Sequence, residues 1–222
     1  MKKKIISLFI LFISVISLCG CATKESKAFK NDYERLNGTT NASGKEHRTV
    51  SIDEDNPFIE VSASDIVKKI ENKETFYVYF GSTLCPWCRS AIEKAVKVAK
   101  KNNIKTIYYV DIWDEEGKEI LRDRYSLEGK DLIKTIDGTQ EYYKLLEYLD
   151  NVLSEYNLTD EKGNKVSTNE KRIYAPNYIY IENGEAKKLV EGTSDKQKDS
   201  REELTEEMLQ DEENIFNEFF NN

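Results

Sequence analysis

The sequence predicts an α/β domain in which a mixed central sheet is flanked by helices. Short apolar and aromatic runs, typical of buried strands, alternate with segments whose apolar residues recur at helical spacing. A Cys-Pro-Trp-Cys tetrapeptide at positions 85–88 stands between such a strand, residues 76–80, and such a helix. A chain of 222 residues is long enough for one well-buried domain of this class.

The first residues have the pattern of a processing signal. Lys2, Lys3 and Lys4 precede an uncharged apolar run at 5–18, which is shorter than the roughly 20 residues of a membrane-spanning helix. The run ends near Cys21 and resembles a bacterial lipoprotein signal. The resemblance implies that residues 1–20 are removed and that Cys21 carries the lipid, on the extracytoplasmic face of the cell membrane. An ordinary secretory signal cleaved nearby is the alternative.

Residues 21–56 are predicted to form the lipidated N-terminus and a flexible tether, because few large apolar residues interrupt their polar composition. The single histidine, His47, falls in this stretch and is interpreted as a solvated linker residue. The formal charge of −8 becomes about −11 when the three signal lysines are lost. So acidic a protein is a poor candidate for binding nucleic acid or an anionic membrane surface.

The folded domain is predicted to span residues 57–222. A short strand at 58–61 is followed by Ser62 to Asp65, which supply N-cap chemistry for a helix with the apolar face Ile66, Val67 and Ile70. The aromatic strand at 76–80 comes next. It leads through the dithiol into a second helix, and residues 104–110 form the next predicted strand.

The second half of the domain is predicted to be helical from about 118 to 156, then polar and turn-rich over 157–172. Asn183-Gly184 separates two strand-like runs and predicts a β-hairpin, because this dipeptide tolerates positive φ angles. Ser200 and Glu203 are predicted to form a capping box for a last amphipathic helix.

The cysteine pair is the strongest functional signal. If Cys19 is discarded and Cys21 is acylated, Cys85 and Cys88 are the only thiols, so no second pair completes a zinc site and no metal is expected. At a helix N-terminus, backbone N–H groups and the helix dipole favour a thiolate on Cys85. Pro86 suits the first helical position, and Trp87 is expected to be partly exposed and to shape the surface that binds a partner or substrate. A structural disulfide, or half of an intermolecular zinc site, are the alternatives.

The order of elements around this dithiol resembles the thioredoxin fold over roughly residues 57–220, with a helical and loop insertion at about 112–172. Pro176, just before the hairpin, matches the cis-proline that faces the dithiol in this superfamily. Ala175 matches the residue whose backbone pairs with substrate. With its expected anchor, the chain looks most like thioredoxin-like lipoproteins of the bacteriocin-transport-accessory type.

The resemblance implies a membrane-anchored, extracytoplasmic thiol–disulfide oxidoreductase. Cys85 would be an accessible nucleophile that forms a mixed disulfide with secreted or surface proteins, and Cys88 would resolve it. A redox partner protein is expected, and no cofactor beyond the Cys85–Cys88 disulfide. Whether partners are oxidised or reduced stays open. The alternative is a non-catalytic binding or accessory module for peptide export.

One departure from the thioredoxin pattern concerns proton transfer. Tyr79 stands where thioredoxins have a buried acid beneath the dithiol. A buried-acid mechanism would therefore need Glu60, Asp111 or water instead.

Overall fold

The computed structural model describes residues 22–221, so the predicted signal at 1–20 and Cys21 lie outside the described residues. Five helices and nine strands are formed in this part of the chain. In chain order they are α1 Lys24–Glu34, β1 Phe58–Glu60, α2 Ala63–Glu71, β2 Phe76–Gly81, α3 Pro86–Lys101, β3 Ile107–Asp111, β4 Arg124–Glu128, β5 Asp131–Ile136, α4 Gln140–Leu149, β6 Ser154–Thr159, β7 Lys165–Arg172, β8 Asn177–Glu182, β9 Glu185–Val190 and α5 Glu206–Phe220. Between residues 22 and 221, no helix has both the length and the apolar character needed to cross a bilayer.

A five-stranded mixed sheet forms the centre of the molecule, in the order β1-β3-β2-β8-β9. The strands β1, β3 and β2 run parallel, whereas β8 is antiparallel to both β2 and β9. Connections between the parallel strands pass through the helices α2 and α3, as such crossovers require. The predicted α/β class with a mixed central sheet is confirmed.

Side chains of β2 alternate between the two faces of the sheet and so divide the core in two. Tyr79 points into a cluster that also holds residues of α1, α3 and α5. Val78 and Phe80 lie in a second cluster with residues of α2 and α4. Because β2 is the middle strand and is covered on both sides, it is apolar almost throughout.

Several predicted element ends are confirmed. Ser62 caps α2 by accepting a hydrogen bond from the Asp65 N–H at 3.2 Å, and Asp65 accepts one in return from the Ser62 N–H at 3.3 Å. The hairpin of β8 and β9 turns at Asn183 and Gly184, with φ angles of 52° and 80°. Both are the left-handed values that this turn requires.

The prediction of a flexible tether over 21–56 is wrong for most of the segment. Residues 24–34 form α1, which Thr23 caps. Phe29 and Tyr33 of this helix are buried, and the Phe29 ring stacks on Phe58 of β1 at a centroid distance of 4.5 Å. A polar composition concealed a few apolar residues placed one helical turn apart, enough to cover one edge of the sheet.

Arg89 of α3 fastens this N-terminal segment to the dithiol helix. Its side chain is 1% exposed, and its guanidinium donates to the carbonyls of Tyr33 and Arg48, both at 2.8 Å, and to Oδ1 of Asn37 at 2.8 Å. It also donates to the Thr83 carbonyl at 3.3 Å. The segment is thereby tied to the residues just before Cys85.

The interpretation of His47 as a solvated linker residue is also wrong. Its side chain is buried, and its backbone N–H donates to the Thr39 carbonyl at 3.0 Å. Burial lowers the pKa of His47, and the charges of Arg89 and Arg201 lower it further. His47 is part of the ordered N-terminal segment.

The insertion at 112–172 is less helical than predicted. Only α4 is helical, and it is flanked by two antiparallel hairpins, β4–β5 and β6–β7. Each hairpin turns at a glycine with positive φ, Gly129 at 65° and Gly163 at 83°. Since these strands are half-exposed and rich in polar residues, their pattern carries little of the signal by which buried strands are recognised.

The last helix begins later than the predicted capping box. Thr205 is the N-cap residue of α5 and accepts a hydrogen bond from the Met208 N–H at 3.2 Å. The Ser200 and Glu202 carbonyls instead accept hydrogen bonds from Arg48, in a turn that precedes the helix.

Candidate functional site

The dithiol lies at the junction of β2 and α3, as predicted. Cys85 is the N-cap residue of α3, and its sulfur accepts a hydrogen bond from the Cys88 N–H at 3.4 Å. Pro86 takes the first helical position, where no N–H donor is needed. Both cysteines carry free thiols in this structure.

Pro176 faces the dithiol. The Ala175–Pro176 peptide bond is cis, which confirms the prediction for this proline. The Cys85 thiol donates to the Ala175 carbonyl with an Sγ–O distance of 3.5 Å. Two loops that are 90 residues apart in sequence therefore meet at one sulfur. Trp87 is half-buried beside them, in line with the expected partial exposure.

The two thiols differ in acidity. A hydrogen bond with the Cys88 thiol lowers the pKa of Cys85 most; burial opposes it, and the backbone N–H groups of Cys88 and Trp87 and the charge of Arg122 lower it further. Burial raises the pKa of Cys88 well above its ordinary value. Cys85 is therefore the more acidic of the two thiols and Cys88 the less acidic, which is the division of roles that an attacking and a resolving cysteine need.

The site is more closed than the sequence indicated. Cys85 is only 4% exposed and Cys88 is fully buried, whereas Cys85 was expected to be accessible. Trp87, Trp113 and Ala175 pack against the apolar cluster that contains both sulfurs. A reaction at Cys85 would require movement of the residues that bury its sulfur.

Beneath Cys88 the structure places a layer of buried tyrosines. The Tyr79 ring stacks on Tyr178 at a centroid distance of 4.4 Å and on Tyr109 at 5.3 Å. Its hydroxyl lies 2.7 Å from the hydroxyl of Tyr33 on α1, and both side chains are fully buried. Sequence reasoning missed Tyr33 because its segment was read as a tether.

Of these tyrosines, Tyr79 is the residue at which the sequence resemblance would have placed a buried acid. Among the groups acting on Cys88, a hydrogen bond with Tyr79 lowers the thiol's pKa and so partly offsets burial. Asp111, considered as a substitute from the sequence, accepts a hydrogen bond from Tyr109 at 2.7 Å. Burial raises the pKa values of Asp111 and Glu60.

A second feature that the sequence did not reveal is a buried charge cluster at the base of the insertion, formed by Glu119, Arg122, Asp123 and Arg172. All four side chains are at most 7% exposed. Arg122 donates two hydrogen bonds of 2.8 Å to the Glu119 carboxylate, and Arg172 donates one of 2.7 Å to the Asp123 carbonyl. Charge pairs of this sort have no short-range sequence signature beyond the i,i+3 spacing of Glu119 and Arg122.

Within residues 22–221, no three His, Cys, Asp or Glu side chains are grouped so as to hold a metal ion. Neither the known protein-family models nor the curated proteins contain a match to this chain. The site is therefore interpreted from its own geometry.

Proposed function

We propose that the chain is a thioredoxin-like thiol–disulfide oxidoreductase that acts through Cys85 and Cys88. The observation that carries the proposal is the position of Cys85, which caps α3, accepts a hydrogen bond from the Cys88 N–H at 3.4 Å and meets the Ala175 carbonyl beside a cis-proline. The pKa of Cys85 is lowered and that of Cys88 is raised, a difference for which a purely structural dithiol would have no need. So short a disulfide loop would also constrain the chain very little.

The chemistry follows from these roles. The Cys85 thiolate attacks one sulfur of a partner disulfide; the partner S–S bond breaks, and its other sulfur leaves as a thiolate that takes up a proton. Cys88 then gives up its proton and attacks the Cys85 sulfur. This second step forms the Cys85–Cys88 disulfide and releases the partner as a dithiol. Two electrons pass to the partner, and the same steps in reverse oxidise it.

The proposed partners are thiols and disulfides of secreted or surface proteins, with a further redox protein that restores the dithiol or the disulfide. Trp87, Ala175 and Pro176 are the proposed contacts for the partner chain, because Trp87 lies between the two cysteines in sequence and the Ala175 carbonyl, next to Pro176, meets the Cys85 sulfur. The redox couple is the cysteine pair itself, so the proposal includes no other cofactor.

We expect the wild-type protein to reduce insulin, or to refold a disulfide-containing test protein, and Cys85→Ser to lose this activity to the uncatalysed background. Removing the nucleophile leaves no route to a mixed disulfide. Cys88→Ser should instead accumulate a mixed disulfide through Cys85, which mass spectrometry would identify. The double variant Cys85→Ser/Cys88→Ser is the matched control and should trap nothing.

Equal behaviour of wild type and Cys85→Ser in both directions would contradict the oxidoreductase. The 4% exposure of Cys85 is the observation that would then favour the alternative, a non-catalytic thioredoxin-fold module for binding or for peptide export.

We further propose that a lipid on Cys21 holds the protein at the extracytoplasmic face of a bacterial cell membrane. The support is the signal-like sequence of residues 1–21. Cys21→Ser is expected to move the protein from the membrane fraction to the soluble extracytoplasmic fraction. Membrane retention of Cys21→Ser equal to that of wild type would contradict the anchor.

A further inference from the structure

The buried charge cluster lies within the insertion and contacts the segment that precedes Pro176. Arg122 uses three of its nitrogens: Nε and Nη2 bind the two carboxylate oxygens of Glu119, both at 2.8 Å, and Nη1 donates to the Ile173 carbonyl at 3.0 Å. Ile173 is three residues before Pro176. One guanidinium therefore joins the insertion to the loop that faces Cys85.

Glu119 also accepts a hydrogen bond from a tryptophan of the insertion. Its Oε2 accepts a hydrogen bond from the Trp113 indole nitrogen at 3.1 Å. Trp113 packs against the apolar cluster that contains Cys85 and Cys88. Glu119 and Arg122 bind each other, so Trp113 and the loop that contains Pro176 are held by the same buried ion pair.

The cluster as a whole is balanced in charge. Arg172 approaches Glu119 at 3.8 Å and Asp123 at 3.4 Å, and Lys134 lies 3.7 Å from Asp123 at its outer edge. Two acids and two arginines are buried, so each charge is weakly screened by water and acts on its neighbours. Removing one charged side chain from this cluster therefore leaves one opposite charge without a compensating partner.

We propose that Arg122 is a positioning residue of the dithiol site, holding the cis-proline loop through Ile173 and directing positive charge towards Cys85, while Glu119 limits that charge. The inference deepens the proposed oxidoreductase and rests on it for its role in turnover. The electrostatic part of the inference does not depend on turnover, because the charge of Arg122 is one of the influences that lower the pKa of Cys85. The insertion would then affect the acidity of the Cys85 thiol as well as the shape of the surface around it.

The test exploits the opposite charges of the pair. In the reduced full-length protein, the pH dependence of Cys85 alkylation by iodoacetamide is followed by mass spectrometry. Arg122→Met should decrease the thiolate fraction below the midpoint about threefold, and Glu119→Gln should increase it about threefold, because a charge beyond contact distance shifts a pKa by less than one unit. Arg124→Met removes an exposed arginine from the neighbouring strand β4 and should leave the profile unchanged.

A merely structural role would move both variants in the same direction, through loosening of the loop. That result, or unchanged profiles in both, would overturn the proposal. If Arg122→Met fails to fold, Glu119→Gln decides alone; its amide oxygen can still accept one of the two hydrogen bonds from Arg122, while its NH2 group replaces the second acceptor. Alkylation of Cys85 can be measured without any catalysis, so the two proposals can fail separately. A wild-type protein without exchange activity would contradict the proposed function. Opposite shifts of the alkylation profile in the two variants would still support the role of Arg122 and Glu119.

Discussion

Removing residues 22–56 is expected to abolish the cooperative unfolding transition of the domain. The segment buries four apolar side chains, Phe29, Tyr33, Val50 and Ile52, against the sheet and α3. At roughly 1.5–3 kcal/mol each, their burial contributes on the order of 6–12 kcal/mol. Since a whole domain has a stability of about 5–15 kcal/mol, little would remain. Urea unfolding followed by circular dichroism measures this directly.

Point substitutions show whether the loss of stability comes from lost apolar burial or from the shorter chain. Phe29→Ala should lower the free energy of unfolding by about 3–5 kcal/mol, because it leaves a cavity beside the Phe58 ring. Lys24→Ala, at an exposed position on the same helix, should change it by less than about 0.5 kcal/mol. A truncated protein that unfolds at the same urea concentration as the full chain would show that the segment is a tether after all.

Stability is expected to fall as the pH rises from about 4.5 to about 8, owing to Glu212. This residue of α5 is fully buried, and neither of its carboxylate oxygens has a hydrogen-bond partner in the described part of the chain. Burial raises its pKa from 4.5 to about 8, against the charges of Lys94 and Arg48, while Glu93 adds to the rise. The folded state therefore holds a proton that the unfolded state releases near pH 4.5.

The sign of the effect follows from this difference. Below pH 4.5 the carboxyl is protonated in both states and its contribution is fully present; it is lost as the pH rises to 8. The loss is on the order of 3–5 kcal/mol. Glu212→Gln should flatten this decline, and Glu218→Gln, an exposed position on the same helix, should preserve it. Chemical unfolding at several pH values gives the comparison, and parallel curves for wild type and Glu212→Gln would contradict the assignment.

Most of the sheet and the core of the site could be predicted from the sequence because their signals are local. The strand at 76–80, the capping box at Ser62 and the Asn183-Gly184 turn each depend on residues a few positions apart. The same holds for Cys85 and Cys88. Pro176 was found through a resemblance, and the structure places it beside Cys85.

The parts that could not be predicted depend on contacts between distant residues. Tyr33 reaches Tyr79 across 46 positions, and Arg122 reaches Ile173 across 51. In each case an ordinary local pattern, a polar stretch or an irregular loop, gives no indication of the distant partner. The burial of Cys85 also involves a distant segment, since its sulfur meets the Ala175 carbonyl across 90 positions.

The early start of α1 has a consequence for the geometry of the proposed anchor. If the lipid is on Cys21, only Ala22 and Thr23 separate it from the helix that begins at Lys24. A few extended residues span at most about 10 Å, so the domain would rest against the bilayer surface instead of sampling a wide volume above it. Its targets would then be limited to proteins whose sulfurs come within one domain's width of the lipid headgroups.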